Sequence, residues 1–219
     1  GNALSGGLTY QSHDDRKLGG GDTIEPSGYR VRAADMKWRK NLGEQSELML
    51  SAQYLEQPST PRIDELVPGY GQDQPASEQY EFMPNKRGFL HARYRLNGQT
   101  RWFSHFEAHL ARQTITDDRL TQDFGANEVT REFNESTLDG LTLQFNSPWG
   151  SQDGPDREWV WGMEYYTDKI SSSRFRQDLD TTENREVRGR FPDQSEMDSV
   201  AIYASNSWHW DRLSLNAGL

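Results

Sequence analysis

Histidine is the residue type in this chain best suited to binding a metal ion or transferring a proton. The five histidines are His13, His91, His105, His109 and His209. His105 and His109 are four residues apart, so on an extended strand they would share one face but lie about 13 Å from each other. That separation is too long for two ligands of one ion. Because the chain also has no cysteine, the sequence predicts no metal site.

Adjacent carboxylates are a second candidate for chemistry, because glycoside hydrolysis uses a pair of acidic residues. Asp14 and Asp15 are neighbours, and so are Asp117 and Asp118. Neighbouring side chains of an extended chain point in opposite directions, so neither pair can flank one substrate bond. No Ser–His or Asp–His arrangement is recognisable in the sequence either. We therefore expect no catalytic residue, no enzymatic activity and no cofactor.

The composition offers little material for the core of a soluble domain. Hydrophobic residues make up 33% of the chain, charged residues 26%, and the mean hydropathy is −0.97. Seven Trp, nine Tyr and nine Phe nevertheless argue against disorder. No apolar run of about 18 residues occurs, which excludes a membrane-spanning helix. A net charge of −10 and the lack of any basic block exclude a nucleic-acid partner.

Apolar side chains recur at every second position in nine segments, which is the period of a strand with two different faces. Between Leu90 and Leu96, and between Trp102 and Leu110, the opposite face is polar or charged. The nine segments are Leu4–Tyr10, Ala34–Trp38, Leu48–Tyr54, Leu90–Leu96, Trp102–Leu110, Leu141–Phe145, Trp159–Tyr165, Val200–Trp208 and Leu213–Leu219.

The links between these segments alternate in length. Short links fall at 41–46, 97–101, 147–157 and 209–212, and long links at 12–29, 55–88, 115–136 and 170–198. This alternation is typical of a chain that runs up and down through a membrane, with short periplasmic turns and long extracellular loops. The sequence therefore predicts an all-β fold, an antiparallel transmembrane β-barrel segment of about nine strands. Its lumen-facing residues would include His91, Arg93, His105, Glu107 and His109.

The tryptophans support the same architecture. Those in predicted strands all share the apolar face and lie near a short link; they are Trp38, Trp102, Trp159, Trp161, Trp208 and Trp210, while Trp149 lies inside such a link. Tryptophan at the membrane–water boundary forms the aromatic girdle of outer-membrane barrels. A soluble β-fold would explain the shared face but not the crowding at one end.

Most of the net charge belongs to three of the long links. They carry six acidic and three basic residues in 55–88, six and two in 115–136, and seven and five in 170–198, for a combined charge of −9. We expect these charges to be solvated outside the membrane or to contact lipopolysaccharide through divalent ions, and attraction of a ligand is the alternative.

Several segments resemble parts of the barrel of TonB-dependent receptors. These are Pro61–Gly71 (PRIDELVPGYG), Tyr80–Arg87 (YEFMPNKR) with the strand Phe89–Tyr94, and the terminal strands Leu4–Tyr10 and Leu213–Leu219. The resemblance implies a location in the bacterial outer membrane, a 22-stranded barrel around an N-terminal plug, and uptake of an iron complex such as a siderophore or haem, or of a vitamin, energised through TonB.

The chain departs from that family pattern in its extent. The sequence shows no plug, no TonB-interacting segment and an odd number of strands, so residues 1–219 are expected to be a partial receptor barrel. The partners implied are the TonB complex through the missing plug, an iron complex or other small nutrient, and outer-membrane lipid with lipopolysaccharide.

Aromatic and histidine side chains of the long links are the candidate ligand contacts. Tyr70, Tyr80 and Phe82 could pack on a flat ligand, and His13 or one of the two tyrosines could be an axial contact to haem iron. Two alternatives stay open on the sequence: a soluble β-rich module that binds carbohydrate through exposed tryptophans, and an outer-membrane barrel enzyme.

Overall fold

A computed structural model shows that the chain forms one large antiparallel sheet. The structure describes residues 1–98, 100, 102–148, 156–210 and 212–219. Its elements in chain order are β1 (Asn2–His13), β2 (Arg16–Lys17), β3 (Thr23–Ile24), β4 (Tyr29–Asn41), β5 (Ser46–Gln57), β6 (Thr60–Pro61), α1 (Ile63–Leu66), β7 (Ser77–Asn97), β8 (His105–Asp123), β9 (Glu128–Pro148), β10 (Asp156–Asp178), β11 (Asn184–Val187), β12 (Ser195–Trp210) and β13 (Leu213–Gly218).

Nine long strands of the described residues pair in sequence order, each with the next. The order is β1-β4-β5-β7-β8-β9-β10-β12-β13, with β6 paired to β7 and β11 paired to β10 outside this path. The predicted up-and-down arrangement of nine strands is thus confirmed. The sheet is open rather than closed into a ring. In the described part of the chain, no helix is long and apolar enough to cross a membrane.

The register places the predicted apolar positions on one face of the sheet. Trp38 pairs with Leu50, Leu50 with Ala92, and Ala92 with Leu110, so apolar side chains meet across successive strands. At the short-link end of the same face, Phe106, Phe145 and Trp161 form an aromatic row, with ring centroids 4.7 and 4.1 Å apart. Trp161, one of the tryptophans predicted for an aromatic girdle, belongs to this row.

Burial is inverted relative to a soluble protein. Among the described residues, Val129 is the one apolar side chain that is buried, whereas Leu8 is 89% and Ile202 81% exposed. The buried polar residues are Ser27, Ser77, Glu132, Asn134, Ser172 and Asn206. An apolar exterior with a polar opposite face fits a sheet that contacts lipid, and it does not fit the soluble carbohydrate-binding alternative.

The apolar band crosses the sheet obliquely. Trp38 is the apolar residue of β4 nearest the short-link end, and the hydrogen-bonded row through it reaches Tyr165 on β10 by way of Leu110 and Leu141. Tyr165, however, is the last apolar residue toward the long-link end in the continuous alternating run of β10, which goes on with Thr167 and Lys169 on the same face. The band therefore moves along the strands by several residues over six strands, because barrel strands are tilted relative to the barrel axis.

The predicted long loops are wrong in extent, because the strands continue well past the apolar band. β9 has 21 residues and β10 has 23, whereas about 9–11 residues suffice to cross a membrane. The predicted loop 115–136 is mostly strand, with a turn at 124–127, and loop 170–198 is strand up to Asp178 and again from Ser195. Both faces of these extensions are wet, so they lack the apolar alternation that would have revealed them.

Three candidate ligand residues are affected by this correction. Tyr80 and Phe82 lie in β7, not in a loop, and His13 is the last residue of β1. Trp102 had been expected in a strand, but β8 begins only at His105 and Trp102 lies in the preceding turn. The predicted short link 147–157 and Trp149 fall largely on residues 149–155, outside the described residues.

A β-bulge in β7 changes which side chains face the polar side. Phe82 pairs with Arg119 and Asn85 pairs with Asp117. Two residues of β7 therefore lie opposite one residue of β8 between these pairs. After the bulge, from Asn85 to the short link, the odd-numbered residues of β7 lie on the polar face. Before the bulge, the even-numbered residues lie on that face. Tyr80 and Phe82 therefore lie on the same face as His91.

Exchanging neighbouring residues for arginine on the two faces of β5 should separate the lipid side from the interior. In the full-length protein, Leu50→Arg should cost about 2–4 kcal/mol of unfolding free energy, because it places a charge in hydrocarbon. Ser51→Arg, one residue away on the polar face, should cost far less. Reversible unfolding in lipid measures both, and equal costs would contradict the assignment of the faces.

Asp15 organises the turn between β1 and β4, outside the membrane-spanning strands. Its Oδ1 accepts the backbone N–H groups of Ser27, at 2.5 Å, and Gly28, at 2.7 Å. These bonds lower the pKa of Asp15 below its ordinary value of 3.8. The contribution of the ionised carboxylate is thus complete above the ordinary pKa and is lost as pH falls through the lowered one.

An NMR titration of the Ser27 and Gly28 amides should accordingly show a transition with a midpoint below pH 3.8, the ordinary pKa of Asp15. In Asp15→Asn the transition should disappear, because the amide side chain has no proton to gain. A midpoint at or above that ordinary value would contradict the hydrogen bonding described.

Candidate ligand-facing surface

The polar face of β7 and β8 carries a dense cluster of charged and histidine side chains near the short-link end. The Glu107 carboxylate lies 3.3 Å from His105 Nε2, 3.2 Å from His109 Nε2 and 3.5 Å from Arg93 Nε. Arg93 also bonds Glu47 of β5 at 2.9 Å. The five residues predicted to face the lumen thus lie on one face, and three of them surround the carboxylate of a fourth, Glu107.

His91, the fifth, joins the cluster through His109. His91 Nε2 and His109 Nδ1 are 3.0 Å apart, the ring centroids are 5.2 Å apart, and the ring planes differ by 15°. The ring centroids are farther apart than the two nitrogens by about the diameter of one imidazole ring. The two nitrogens therefore lie almost on the line that joins the centroids and point at each other. One proton can occupy this bond, whereas two opposed N–H groups would repel. The pair therefore accommodates a single positive charge.

This arrangement is a hydrogen-bonded chain rather than a metal centre. The His91–His109 bond uses the lone pair that a metal would need, and Glu107 occupies the other nitrogen of His109. Within the described residues, no group of three or more His, Asp or Glu is arranged to hold a metal ion.

A second polar surface lies on the same face beyond the apolar band, where β7 and β8 extend outward. The Tyr80 hydroxyl lies 3.3 Å from the Arg62 guanidinium and 3.4 Å from that of Arg119. Arg119 also covers the Phe82 ring at 4.9 Å, and Asp117 holds it at 2.6 Å. We call Arg62, Tyr80, Phe82 and Arg119 the aromatic–arginine platform.

Helix α1 and its flanking residues hold Arg62 in place. The Arg62 guanidinium lies 2.9 Å from Asp64 and 3.3 Å from Glu65, while it covers the Tyr80 ring at 5.0 Å. The hydrogen bond from Arg62 lowers the pKa of Asp64 below its ordinary range. The guanidinium is thus fixed above an aromatic ring by a cation–π contact, with two carboxylates beside it.

The segment 188–194, which follows β11, is tied to the same face of β9 and β10. Buried Glu132 accepts Arg174 at 2.6 Å and Arg190 at 2.9 Å. Ser172 donates to Asn134 at 2.8 Å and accepts the Phe191 N–H at 3.1 Å. A Cβ on Gly189 would lie 2.6 Å from the Ser172 carbonyl oxygen, so this close approach requires glycine.

Comparison with known proteins decides the family. The model of the family described as "TonB dependent receptor-like, beta-barrel" matches residues 5–219. The chain belongs to the TonB-dependent receptor β-barrel family. The receptor is thus a bacterial outer-membrane protein, with its apolar face toward lipid and its polar face toward the interior. None of the curated proteins matches this sequence.

One solved structure agrees with this assignment at the level of the fold. The structure titled "Copper transporter OprC" aligns with a TM-score of 0.70 and 15% identity, over 98% of the receptor chain and 31% of OprC. The ferric yersiniabactin uptake receptor FyuA from Yersinia pestis aligns with a TM-score of 0.49 and 12% identity, over 96% and 40%. The receptor chain described here therefore spans about a third of the length of OprC.

The four predicted ligand residues are not brought together. Tyr80 and Phe82 both belong to the aromatic–arginine platform of the receptor, with ring centroids 6.0 Å apart. Tyr70 is fully exposed in the segment after α1, and His13 stacks on Tyr29 at 4.5 Å beside a separate hollow of about 660 Å³. The arginines of the surface were missed, because their role depends on a cross-strand register that composition does not reveal.

One Ser–His pair not foreseen from the sequence lies at the short-link end of the receptor. His209 Nδ1 and Ser214 Oγ are 3.1 Å apart across the β12–β13 turn, and both side chains are exposed. Among the described residues no carboxylate hydrogen-bonds to His209, so nothing there orients the imidazole as a general base would require.

Glu132→Gln should loosen segment 188–194 while leaving the sheet intact. The substitution removes the charge shared by Arg174 and Arg190, and hydrogen bonds to charged groups contribute about 1.5–3 kcal/mol each. Amide hydrogen exchange in residues 188–194 of the full-length receptor should accelerate, with no change in β4 or β5. Exchange that is unchanged in the segment would show that Glu132 does not hold it.

Proposed function

We propose that this protein is part of an outer-membrane receptor for TonB-energised uptake of a scarce nutrient, and that the nutrient is an iron complex, a siderophore or haem. The observation that supports an iron complex is the aromatic–arginine platform. Iron chelates with catecholate or phenolate groups, and haem with its propionates, combine flat π-systems with negative charge. Arg62 and Arg119 beside Tyr80 and Phe82 offer matching contacts.

The position of the platform supports uptake. It lies on the polar face beyond the apolar band, where a ligand arriving from outside would meet the receptor wall first. Arg174 and Arg190, held by Glu132, lie further along this face. Each of these arginines, like Arg62 and Arg119, lies beside a carboxylate, so an anionic ligand would have to share or displace existing ion pairs.

The proposal assigns the receptor no catalytic activity. Energy would come from the TonB complex acting through a plug, and the remaining partners would be the iron complex and outer-membrane lipid with lipopolysaccharide. The copper transport named for OprC is a second candidate for the cargo, but no residue grouping in the described chain favours it.

Binding to the full-length receptor tests the iron assignment. The probes are an anionic iron–tris(catecholate) complex, an uncharged iron–trihydroxamate complex, haem, and Cu²⁺. We expect Arg119→Gln to weaken an anionic iron probe by about tenfold or more, because a charge-assisted bond contributes about 1.5–3 kcal/mol. Arg39→Gln, on the same face near the short-link end, is the matched control and should change affinity little.

The outcomes separate the ligand from the family. Wild-type receptor that binds Cu²⁺ and none of the iron probes would overturn the iron assignment. Equal losses in the Arg119 and Arg39 variants would remove the platform from the site. Neither result would affect the assignment to the receptor family, which does not depend on the ligand.

A further inference from the structure

The His91–His109 bond belongs to a chain of hydrogen-bond donors that ends on Glu107. His109 Nε2 lies 3.2 Å from the Glu107 carboxylate, which attracts a proton onto this nitrogen. In a neutral imidazole the other nitrogen, Nδ1, is then an acceptor, so His91 Nε2, 3.0 Å away, is the donor. The chain therefore has one direction, from His91 through His109 to Glu107.

The two rings can take up one proton without losing their bond, but not two. His91 Nδ1 takes no part in the bond, so a proton there leaves both the donor and the acceptor unchanged. A second proton must go to His109 Nδ1, where it points at the N–H of His91. The two charged rings, with centroids 5.2 Å apart, would also repel each other. The bond therefore exists in the neutral and singly charged states and is lost in the doubly charged one.

The groups around the pair limit how much positive charge they can neutralise. β7 contributes Arg93 and Arg95, and β8 contributes Glu107, whose carboxylate lies 3.5 Å from both arginines and 3.3 Å from His105. One carboxylate shared in this way cannot neutralise two further charged rings. The residues that face the pair from β5 and β9 are uncharged; they are Met49, Ser51, Gln53, Gly140, Thr142 and Gln144.

A second shell of titratable groups lies on the same face, made up of Lys37 and Arg39 of β4, Glu47 of β5, and Tyr166 and Tyr203 beyond β9. Glu47 is itself shared between Arg39, at 3.6 Å, and Arg93, at 2.9 Å. The tyrosine hydroxyls are neutral at neutral and acidic pH. Even without Lys37, the three arginines outnumber the two glutamates by one charge, and two protonated rings raise this excess to three.

We propose that the His91–His109 pair is an acid-operated switch in the inner wall of the receptor. At neutral pH the pair joins the side chains of β7 and β8. When both rings are protonated the bond breaks, His109 stays on Glu107, and the half-buried His91 turns away from β8 toward the interior. Since an ordinary histidine titrates near pH 6.5, we expect opening at about pH 5, where a second proton is taken up despite the first. An occupant of the interior beside β7 and β8 would then meet a more cationic wall, whichever nutrient the receptor carries.

A double-mutant cycle on the full-length receptor tests the switch. The variants are His91→Ala, His109→Ala and the two combined, compared with wild type by reversible unfolding in lipid at about pH 7.5 and about pH 5. At the higher pH the coupling between the two residues should favour the folded state about fivefold, which corresponds to about 1 kcal/mol for one hydrogen bond. At the lower pH this coupling should be lost or reversed.

The His105–Asn97 pair, on the same face of the same two strands, is the matched control. His105 Nδ1 lies 2.6 Å from Asn97 Oδ1, a carbonyl oxygen that accepts from a neutral and from a charged imidazole alike. The cycle of His105→Ala and Asn97→Ala should therefore retain its coupling at about pH 5.

Nitrogen NMR of isotope-labelled histidines in the wild-type receptor repeats the test without any variant that could fail to fold. A scalar coupling across the bond from His91 Nε2 to His109 Nδ1 should be present at about pH 7.5 and absent at about pH 5. A His91–His109 coupling that persists in acid, by either measurement, would overturn the switch. So would an equal loss in the His105–Asn97 cycle, because acid would then be loosening the whole wall.

Discussion

The pairing of backbone N–H and C=O groups between neighbouring strands is the constraint on which the rest of this structure depends. In hydrocarbon an unpaired backbone group costs several kcal/mol, so a strand can cross only if it is hydrogen-bonded on both sides. Pairing fixes the alternation of faces, and alternation needs an apolar residue only at every second position within the band. A membrane-embedded chain can consequently have 33% hydrophobic residues and a mean hydropathy of −0.97.

The same hydrogen-bonded ladder supports a different chemistry once the strands leave the lipid. Beyond the band both faces meet water, and the polar face carries arginine, aromatic and carboxylate groups instead of a hydrated wall alone. Glu132 is buried there by two arginines and by segment 188–194, although no apolar core exists around it. Strands thus position these charged groups, so their arrangement depends little on loop conformation even far from the membrane.

The strands within lipid could be predicted from the sequence, because burial against hydrocarbon imposes a period of two on residues such as Leu48, Leu50 and Ala52. The strand extensions beyond the membrane could not be predicted, because a strand with both faces in water has no such period. For this reason Tyr80 and Phe82 were predicted to be loop residues. The contacts of Arg119 were also hidden: they require the register of β7 against β8, and a bulge lies within it. Likewise His91 and His109 were placed on one face, but their hydrogen bond depends on a diagonal cross-strand neighbour relation.

The bulge between Phe82 and Asn85 has a consequence for how this wall can change over evolution. It separates β7 into an outer stretch, whose even-numbered residues face inward, and an inner stretch, whose odd-numbered residues face inward. Substitutions can therefore change the polar face of the outer stretch while the inner stretch keeps the apolar–polar alternation that lipid requires. Deleting the extra residue would turn Tyr80 and Phe82 away from the interior without altering a single residue in the membrane. The polar face of the outer stretch and the fit of the inner stretch to the membrane can in this way change independently within one strand.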